Sequence, residues 1–235
     1  MKGRLLLVSA TLLPLFVSVG WAWAPAAQRP AGGAATAAVG VPGECVVPVA
    51  QRPQEMGCYL ITETTIGPLR GNSAYWHIFR YAAPGDAEAA KVARDTIVQS
   101  LGQIWLLRIS VNSRETATGG TLASSIGPLP LTNAPSYTAR YMETVSSPGM
   151  RTAVHRHSGP EAWFLLSGIQ CAATDQGSTK VVAGQGAFVP ANLMMQLDTI
   201  GSTKRQALVL VLHDSRLAWT TMMRDAENLP ANCAG

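Results

Sequence analysis

Charged side chains are scarce in this 235-residue chain. Asp, Glu, Lys and Arg make up 14% of the residues, against 47% that are hydrophobic, and the formal net charge is +4. Lys and Arg do not cluster anywhere, so the sequence lacks the basic patch typical of nucleic-acid-binding proteins and predicts no nucleic-acid partner. The hydrophobic fraction is large enough to build a sizeable core, in one large or two small domains.

Long apolar runs are also absent, except near the start of the chain. Lys2 and Arg4 precede the apolar positions 5–19, and a small-x-small pattern, Ala22-Trp23-Ala24, follows. The run is shorter than the roughly 20 residues that span a bilayer. The pattern therefore predicts a signal peptide at 1–26, a secreted or periplasmic location and no membrane association after its removal. A membrane anchor is the alternative.

The four cysteines, Cys45, Cys58, Cys171 and Cys233, occur without a CxxC spacing. That spacing would be expected of a cysteine-based zinc or haem site. In an exported chain an even number of cysteines favours disulfides, but four cysteines allow three pairings and the sequence does not choose among them.

Two histidines and a carboxylate stand close together between two glycines. His155 and His157 are two residues apart, so in a strand both rings point to the same face. Ser158-Gly159-Pro160 predicts a turn, and Glu161 opens the next apolar run. A hairpin of this kind directs two imidazole nitrogens and one carboxylate oxygen to one point, a ligand set that suits a first-row divalent metal. The alternative is two surface histidines and a solvated glutamate.

The spacing from Gly149 through His155, His157 and Glu161 to Gly168 is G-x5-H-x-H-x3-E-x6-G. This string resembles the first motif of the cupin superfamily at every fixed position. The resemblance implies a small jelly-roll barrel whose interior holds Fe, Mn, Ni or Zn on these three side chains. It also implies a small-molecule ligand or substrate and pairing as a homodimer through sheet edges.

The second cupin motif is matched only in part, at Gly184 and Pro190. Met195 stands where the family places a histidine as the fourth metal ligand. Met195 is interpreted either as core filling or, if the metal is copper, as a thioether ligand.

Short apolar segments separated by Gly, Pro, Ser, Asp or Asn predict a barrel of strands in the second half. The predicted strands lie at 137–145, 150–157, 161–166, 169–173, 180–182, 187–190, 194–199 and 206–212. Positions 207–212 are apolar without alternation, so both faces of that strand should be buried. The remaining residues predicted to line the pocket are Trp163, Leu165, Phe188 and Met194.

The fold class predicted is mainly β, with the barrel at 123–222 and a C-terminal tail at 223–235. A flexible linker rich in Ala, Gly and Pro is expected at 27–44. For 45–122 two interpretations stay open. Ile-Gly-Pro-Leu at 66–69 recurs at 126–129, which favours a degenerate second cupin. A helix pattern at 86–101, with Asp86 as N-cap, favours instead a β-α-β module at 75–81, 86–101 and 103–111.

Two function classes follow from the site. The first is a metal-dependent enzyme of the oxygenase or isomerase type that acts on a small organic molecule. The second is a non-catalytic cupin that binds a small ligand in an apolar barrel mouth without metal. No catalytic acid or base is identified in the sequence.

Overall fold

Strands dominate the computed structural model of this chain, which describes residues 45–233. The predicted signal peptide and linker lie outside the described residues, as do the last two residues of the predicted tail. The helical segments are a 3-10 turn at Val49–Gln51 and helix α1 at Pro84–Ala90. The strands are β1 (Gly57–Gly67), β2 (Ser73–Tyr81), β3 (Thr96–Ser100), β4 (Gln103–Ser110), β5 (Thr121–Pro130), β6 (Tyr137–Ser146), β7 (His155–His157), β8 (Glu161–Ser167), β9 (Ile169–Thr174), β10 (Gly177–Val182), β11 (Gly186–Val189), β12 (Met195–Ile200), β13 (Arg205–Asp214) and β14 (Thr220–Met222).

The strands form three antiparallel sheets. The central sheet has the order β1-β6-β13-β8-β11, the site sheet has the order β10-β9-β12-β7-β14, and the cap sheet has the order β3-β4-β2-β5. Within the described residues no helix is both long and apolar enough to pass through a bilayer.

The central sheet is covered on both faces. On β13, Leu208, Leu210 and Leu212 pack with the cap sheet, in the same cluster as Trp76. The alternate residues Ala207, Val209 and Val211 pack with residues of the site sheet. The prediction that 207–212 is buried on both faces is therefore confirmed. The physical reason is that an unbroken apolar strand has no face suited to water.

The central and site sheets enclose a barrel around their shared apolar cluster. Met142 and Trp163 of the central sheet meet Ala172 and Leu197 of the site sheet inside it. Two facing antiparallel sheets with a common interior are the jelly roll that the cupin resemblance predicts, so the fold prediction is confirmed. One strand is shorter than predicted, because β7 begins at His155 rather than at position 150. The Leu197 N–H donates to the side-chain oxygen of Thr152 instead of to a backbone carbonyl, which interrupts the ladder before His155.

The cap sheet and α1 form a small α+β layer, one of the two interpretations offered for 45–122. The predicted strands at 75–81 and 103–111 are present as β2 and β4, but the helix predicted at 86–101 is wrong beyond Ala90. The β-branched residues of β3 pair with β4 instead. The N-cap is Ala83 and not Asp86, which lies in the first turn behind Pro84.

Sheet membership does not follow the division predicted at position 122. β1 lies before that position but pairs with β6 in the central sheet, whereas most of β5 lies after it and belongs to the cap sheet. The two copies of Ile-Gly-Pro-Leu also lead into different structures: after the first come β2 and α1, and after the second come β6 and β7.

Two disulfides join distant parts of the described chain, as predicted for an even number of cysteines. Cys45 is bonded to Cys58 in β1, and Cys171 in β9 is bonded to Cys233. The second bond fixes the C-terminal tail against the site sheet, where Leu229 also donates its N–H to Gln196.

Candidate metal centre

Strand β7 carries both histidines on its inner face. His155 and His157 are 1% and 3% exposed, whereas Arg156 between them is exposed. The strand is held on one side by β12, where Met195 pairs with His155, and on the other by β14, where Thr220 pairs with His157. The strand alternation that the sequence predicts is therefore present.

The turn from β7 to β8 carries the chain from the site sheet to the central sheet. Gly159 is buried there, and a Cβ atom at this position would lie 1.9 Å from the carbonyl oxygen of Leu212. The Leu212 N–H donates to the Pro160 oxygen at 3.1 Å. Only glycine fits this close approach of two backbones. Pro160 comes next, and Glu161 then begins β8.

His155, His157 and Glu161 converge in the barrel. One ligand atom from each lies within 4.8 Å of the other two. The His157 Nε2 atom is 3.3 Å from a carboxylate oxygen of Glu161, and the two imidazole centroids are 5.0 Å apart. That carboxylate oxygen has no hydrogen-bond partner although it is buried, so the contact with His157 is not aligned as a hydrogen bond.

Backbone carbonyls orient the two imidazoles. Nδ1 of His155 lies 2.8 Å from the Ala153 oxygen, and Nδ1 of His157 lies 3.0 Å from the Trp219 oxygen. A carbonyl oxygen can only accept, so both Nδ1 atoms carry a hydrogen, and in the neutral ring the Nε2 atom then keeps the lone pair that binds metal. Histidine ligands of metals are typically held in this way. The three residues therefore fit a divalent metal.

The charge states also suit metal binding. Burial lowers the pKa of His155 to about 4, with a smaller contribution from His157. Burial alone would raise the pKa of Glu161, but the neighbouring His157, His155 and Arg205 together lower it. At neutral pH the site thus offers His155 as a neutral imidazole and Glu161 as a carboxylate, the forms that bind metal.

The three side chains open into a cavity of about 30 Å³. Trp219 closes one side, stacked on His157 with ring centroids 5.3 Å apart, and Arg140 lies over the indole at 4.5 Å. The cavity is lined by Cys45, Cys58, Met142, Thr144, Thr152, His155, His157, Glu161, Leu197, Arg205, Val209 and Trp219.

The other residues predicted for the site lie behind or away from the cavity. Met195, Trp163 and Leu165 belong to the apolar cluster of the barrel interior but do not line the cavity. Met194 is half-buried and does not line the cavity either. Phe188 does not match its predicted place: it packs with the cluster beneath the cap sheet, because it alternates along β11 with the inward-facing Val189.

Sequence reasoning missed Arg205 and Trp219. Arg205 follows the polar stretch 202–204, which suggests a surface position, and only its period-two relation to Ala207 and Val209 could have placed it inside. Nothing in the sequence connects Trp219 with His157.

Comparison with known proteins adds a partial structural likeness. No protein-family model matches the chain, and no curated protein matches it in sequence. A cupin-like protein from Thermotoga maritima is 15% identical over 36% of this chain and 64% of that one, with a TM-score of 0.34. The DMSP lyase DddQ from Ruegeria pomeroyi is 18% identical over 38% and 45% of the two chains, with a TM-score of 0.34. Oxalate decarboxylase from Bacillus subtilis is 17% identical over 38% and 24%, with a TM-score of 0.32. The chain thus spans less than two thirds of each of these proteins.

Proposed function

We propose that the barrel binds one divalent first-row metal, Fe, Mn, Ni or Zn, through His155, His157 and Glu161. The observation that carries this proposal is that the ligand atoms of three buried side chains lie within 4.8 Å of one another. Burying a carboxylate beside two imidazoles is costly unless something compensates for the lost hydration, and a cation does so.

The chemistry that fits the site is metal-assisted conversion of a small organic molecule. A bound metal supplies Lewis acidity and open positions for a substrate oxygen. Apart from the three ligands and Arg205, no titratable side chain of the described residues lines the cavity. The chain itself therefore binds and orients the substrate, and Trp219 and Leu197 exclude bulk water.

A non-catalytic small-ligand-binding protein is the second candidate. The same observation favours it, because the described cavity offers no separate acid or base to move a proton. In this case the chain binds its ligand without metal.

Metal content separates the two candidates. The metal content of wild-type protein purified without added metal is measured by elemental mass spectrometry and compared with that of the double variant His155→Ala/His157→Ala. His77→Gln is the matched control, because His77 is also buried but hydrogen-bonded in the cap sheet. We expect metal in the wild type and the control and none in the double variant. A metal-free wild type supports the second candidate, and equal metal in all three proteins contradicts both the site and its ligands.

We also propose that the chain is exported to the periplasm or beyond the cell. Two disulfides support this, since disulfides persist in oxidising compartments, and the pattern at 1–26 supports it independently. N-terminal sequencing of the protein from its native cells should find a start between Pro25 and Ala27. An intact Met1 together with four free thiols after unfolding would overturn the proposal.

A further inference from the structure

Arg205 is a buried cation without a partner. Its side chain lines the same cavity as the three proposed metal ligands, and the residue is 3% exposed. Neither Nε nor Nη2 has a hydrogen-bond partner. A guanidinium carries five N–H donors, and leaving them unpaired away from water is costly.

The other buried arginines of the described residues are paired. Arg108 donates to both carboxylate oxygens of Asp95, at 2.9 and 2.7 Å. Arg140 donates to Glu63 and, at 2.8 Å, to the Cys45 oxygen. The Nε atom of Arg140 is unpaired, but each of these two guanidinium groups forms an ion pair with a carboxylate, and Arg205 forms none.

Glu161 does not fill this role. Its charge favours the protonated form of Arg205, but burial is the stronger effect and lowers the pKa of Arg205 to about 10. Arg205 is still charged at neutral pH, and no hydrogen bond joins the two residues. A carboxylate that binds metal also shares its charge with the metal, which leaves less to compensate Arg205.

Other polar atoms of the barrel interior lack partners as well. Thr144 is one of the residues that line the cavity, and its buried Oγ1 atom is unpaired. Both amide atoms of Gln170 are buried and unpaired, and Gln170 lies two residues from the inward-facing Ala172, on the same face of β9. A ligand with acceptor oxygens would satisfy such groups, and the planar fork of a guanidinium matches a carboxylate. The cavity of about 30 Å³ has room for only a few atoms.

We propose that Arg205 is the binding residue for the carboxylate of a small organic acid in this cavity. The proposal deepens the proposed function by naming its substrate or ligand class, a small organic acid. It rests on the proposed function only for the metal, whose proposed ligands line the same cavity. Arg205 fixes the carboxylate end, so that the rest of the molecule faces His155, His157 and Glu161.

Anion binding to the metal-free protein tests the proposal. After removal of metal with a chelator, thermal unfolding and calorimetric titration are recorded with sodium formate and sodium acetate at constant ionic strength. Formamide and acetamide serve as neutral probes of the same shape. We expect at least one of the two anions, but neither amide, to bind and raise the unfolding temperature, since a ligand that binds the folded state stabilises it.

Two variants of Arg205 and one control locate the binding. Arg205→Met keeps much of the side-chain length without the charge, and Arg205→Lys keeps the charge without the planar fork. Both should weaken anion binding, the Met variant by at least about tenfold, or about 1.4 kcal/mol. Arg156→Met is the control, because Arg156 lies between the two histidines but faces solvent. It should bind the anion as the wild type does.

The outcomes distinguish this proposal from the metal proposal. If neither formate nor acetate binds to the wild type, or if the folded Arg205 variants bind as the wild type does, the role of Arg205 is overturned whatever the metal content. If the anion binds through Arg205 but the protein takes up no metal, the metal site fails and the anion site stands. If Arg205→Met does not fold, Arg205→Lys decides.

Discussion

At the scale of single residues, two carbonyl oxygens determine what His155 and His157 can do. Ala153 and Trp219 hold hydrogen on the Nδ1 atoms, so the Nε2 atoms are free for a ligand. Neither carbonyl is a motif position. The pair would be less well prepared for metal if either ring could rotate, because ordering the ring would then cost entropy on binding.

Met195→His tests the position where the cupin motif places a fourth metal ligand. Met195 pairs with His155 across neighbouring strands and is 1% exposed, so a histidine there starts beside the other ligands on the inner face. We expect metal affinity to rise by about tenfold, equivalent to about 1.4 kcal/mol, measured by competition with a chelator. Met195→Leu should leave affinity unchanged. A folded Met195→His variant with unchanged affinity would show that the position cannot reach the metal.

His77 makes stability depend on pH, independently of the metal site. Its Nε2 atom donates to the Asn112 oxygen and its Nδ1 atom accepts from Ser125, both at 3.0 Å, so only the neutral ring satisfies both partners. Burial is the main cause that lowers the pKa of His77 below 6.5. The unfolded state then binds more protons, and the stabilisation present above pH 6.5 is lost as the pH falls towards the folded-state pKa.

Urea unfolding at one pH above 6.5 and one pH below it measures how the free energy of unfolding depends on His77. The free energy of unfolding should fall on acidification, because burial also lowers the pKa of His155 and His213. His77→Gln should show a smaller fall than the wild type, although it is less stable at the higher pH. An equal fall in both proteins would mean that His77 does not contribute.

The sequence could predict the three proposed ligands because their spacing, strand alternation and turn residues are local features. It could not predict Arg205, Trp219 or the two orienting carbonyls. These groups come from β13 and from the segment before β14, and their distance from β7 is fixed only when the sheets pair. Phe188 was misplaced for a related reason, since a strand between two apolar layers has two buried faces and hydrophobicity alone does not distinguish them.

At the scale of elements, the turn between β7 and β8 sets the geometry of the site. Gly159→Ala would place a Cβ atom 1.9 Å from a backbone oxygen that cannot move alone. We expect a loss of about 3 kcal/mol or more in unfolding free energy and loss of metal binding, measured by urea unfolding and metal content. Gly85→Ala is the control, because a Cβ atom there meets nothing within 4 Å and alanine favours α1. Equal stability of the two variants would contradict the steric argument.

Element prediction succeeded where local signals agreed and failed at 91–100. The alanines of 86–93 favour a helix, but Thr96, Ile97 and Val98 favour a strand, and β4 supplies the partner that decides between them. Asp95 reinforces the break, since its carboxylate accepts from the N–H of Val92 and from Arg108. A long-range ion pair of this kind cannot be predicted from the periodicity of a segment.

At the scale of the whole molecule, the barrel depends on residues that precede it. β1 completes the central sheet, and the cap sheet covers its outer leucines. A fragment of residues 123–222 lacks β1, most of the cap sheet and Cys233. We expect it to show no cooperative thermal transition by circular dichroism, whereas residues 45–233 should unfold cooperatively. A cooperative transition in the shorter fragment would show that the barrel is autonomous.

The bond between Cys45 and Cys58 lies in the wall of the cavity, close to a site built from nitrogen and oxygen donors. If that bond is absent, two thiols take its place in the wall, and sulfur is a soft donor that attracts zinc and copper(I). If the proposed site binds a metal, oxidation of the pair would keep sulfur out of competition for it. We then expect protein produced in a reducing cytosol to carry more zinc or copper than protein folded under oxidising conditions, as measured by its metal content.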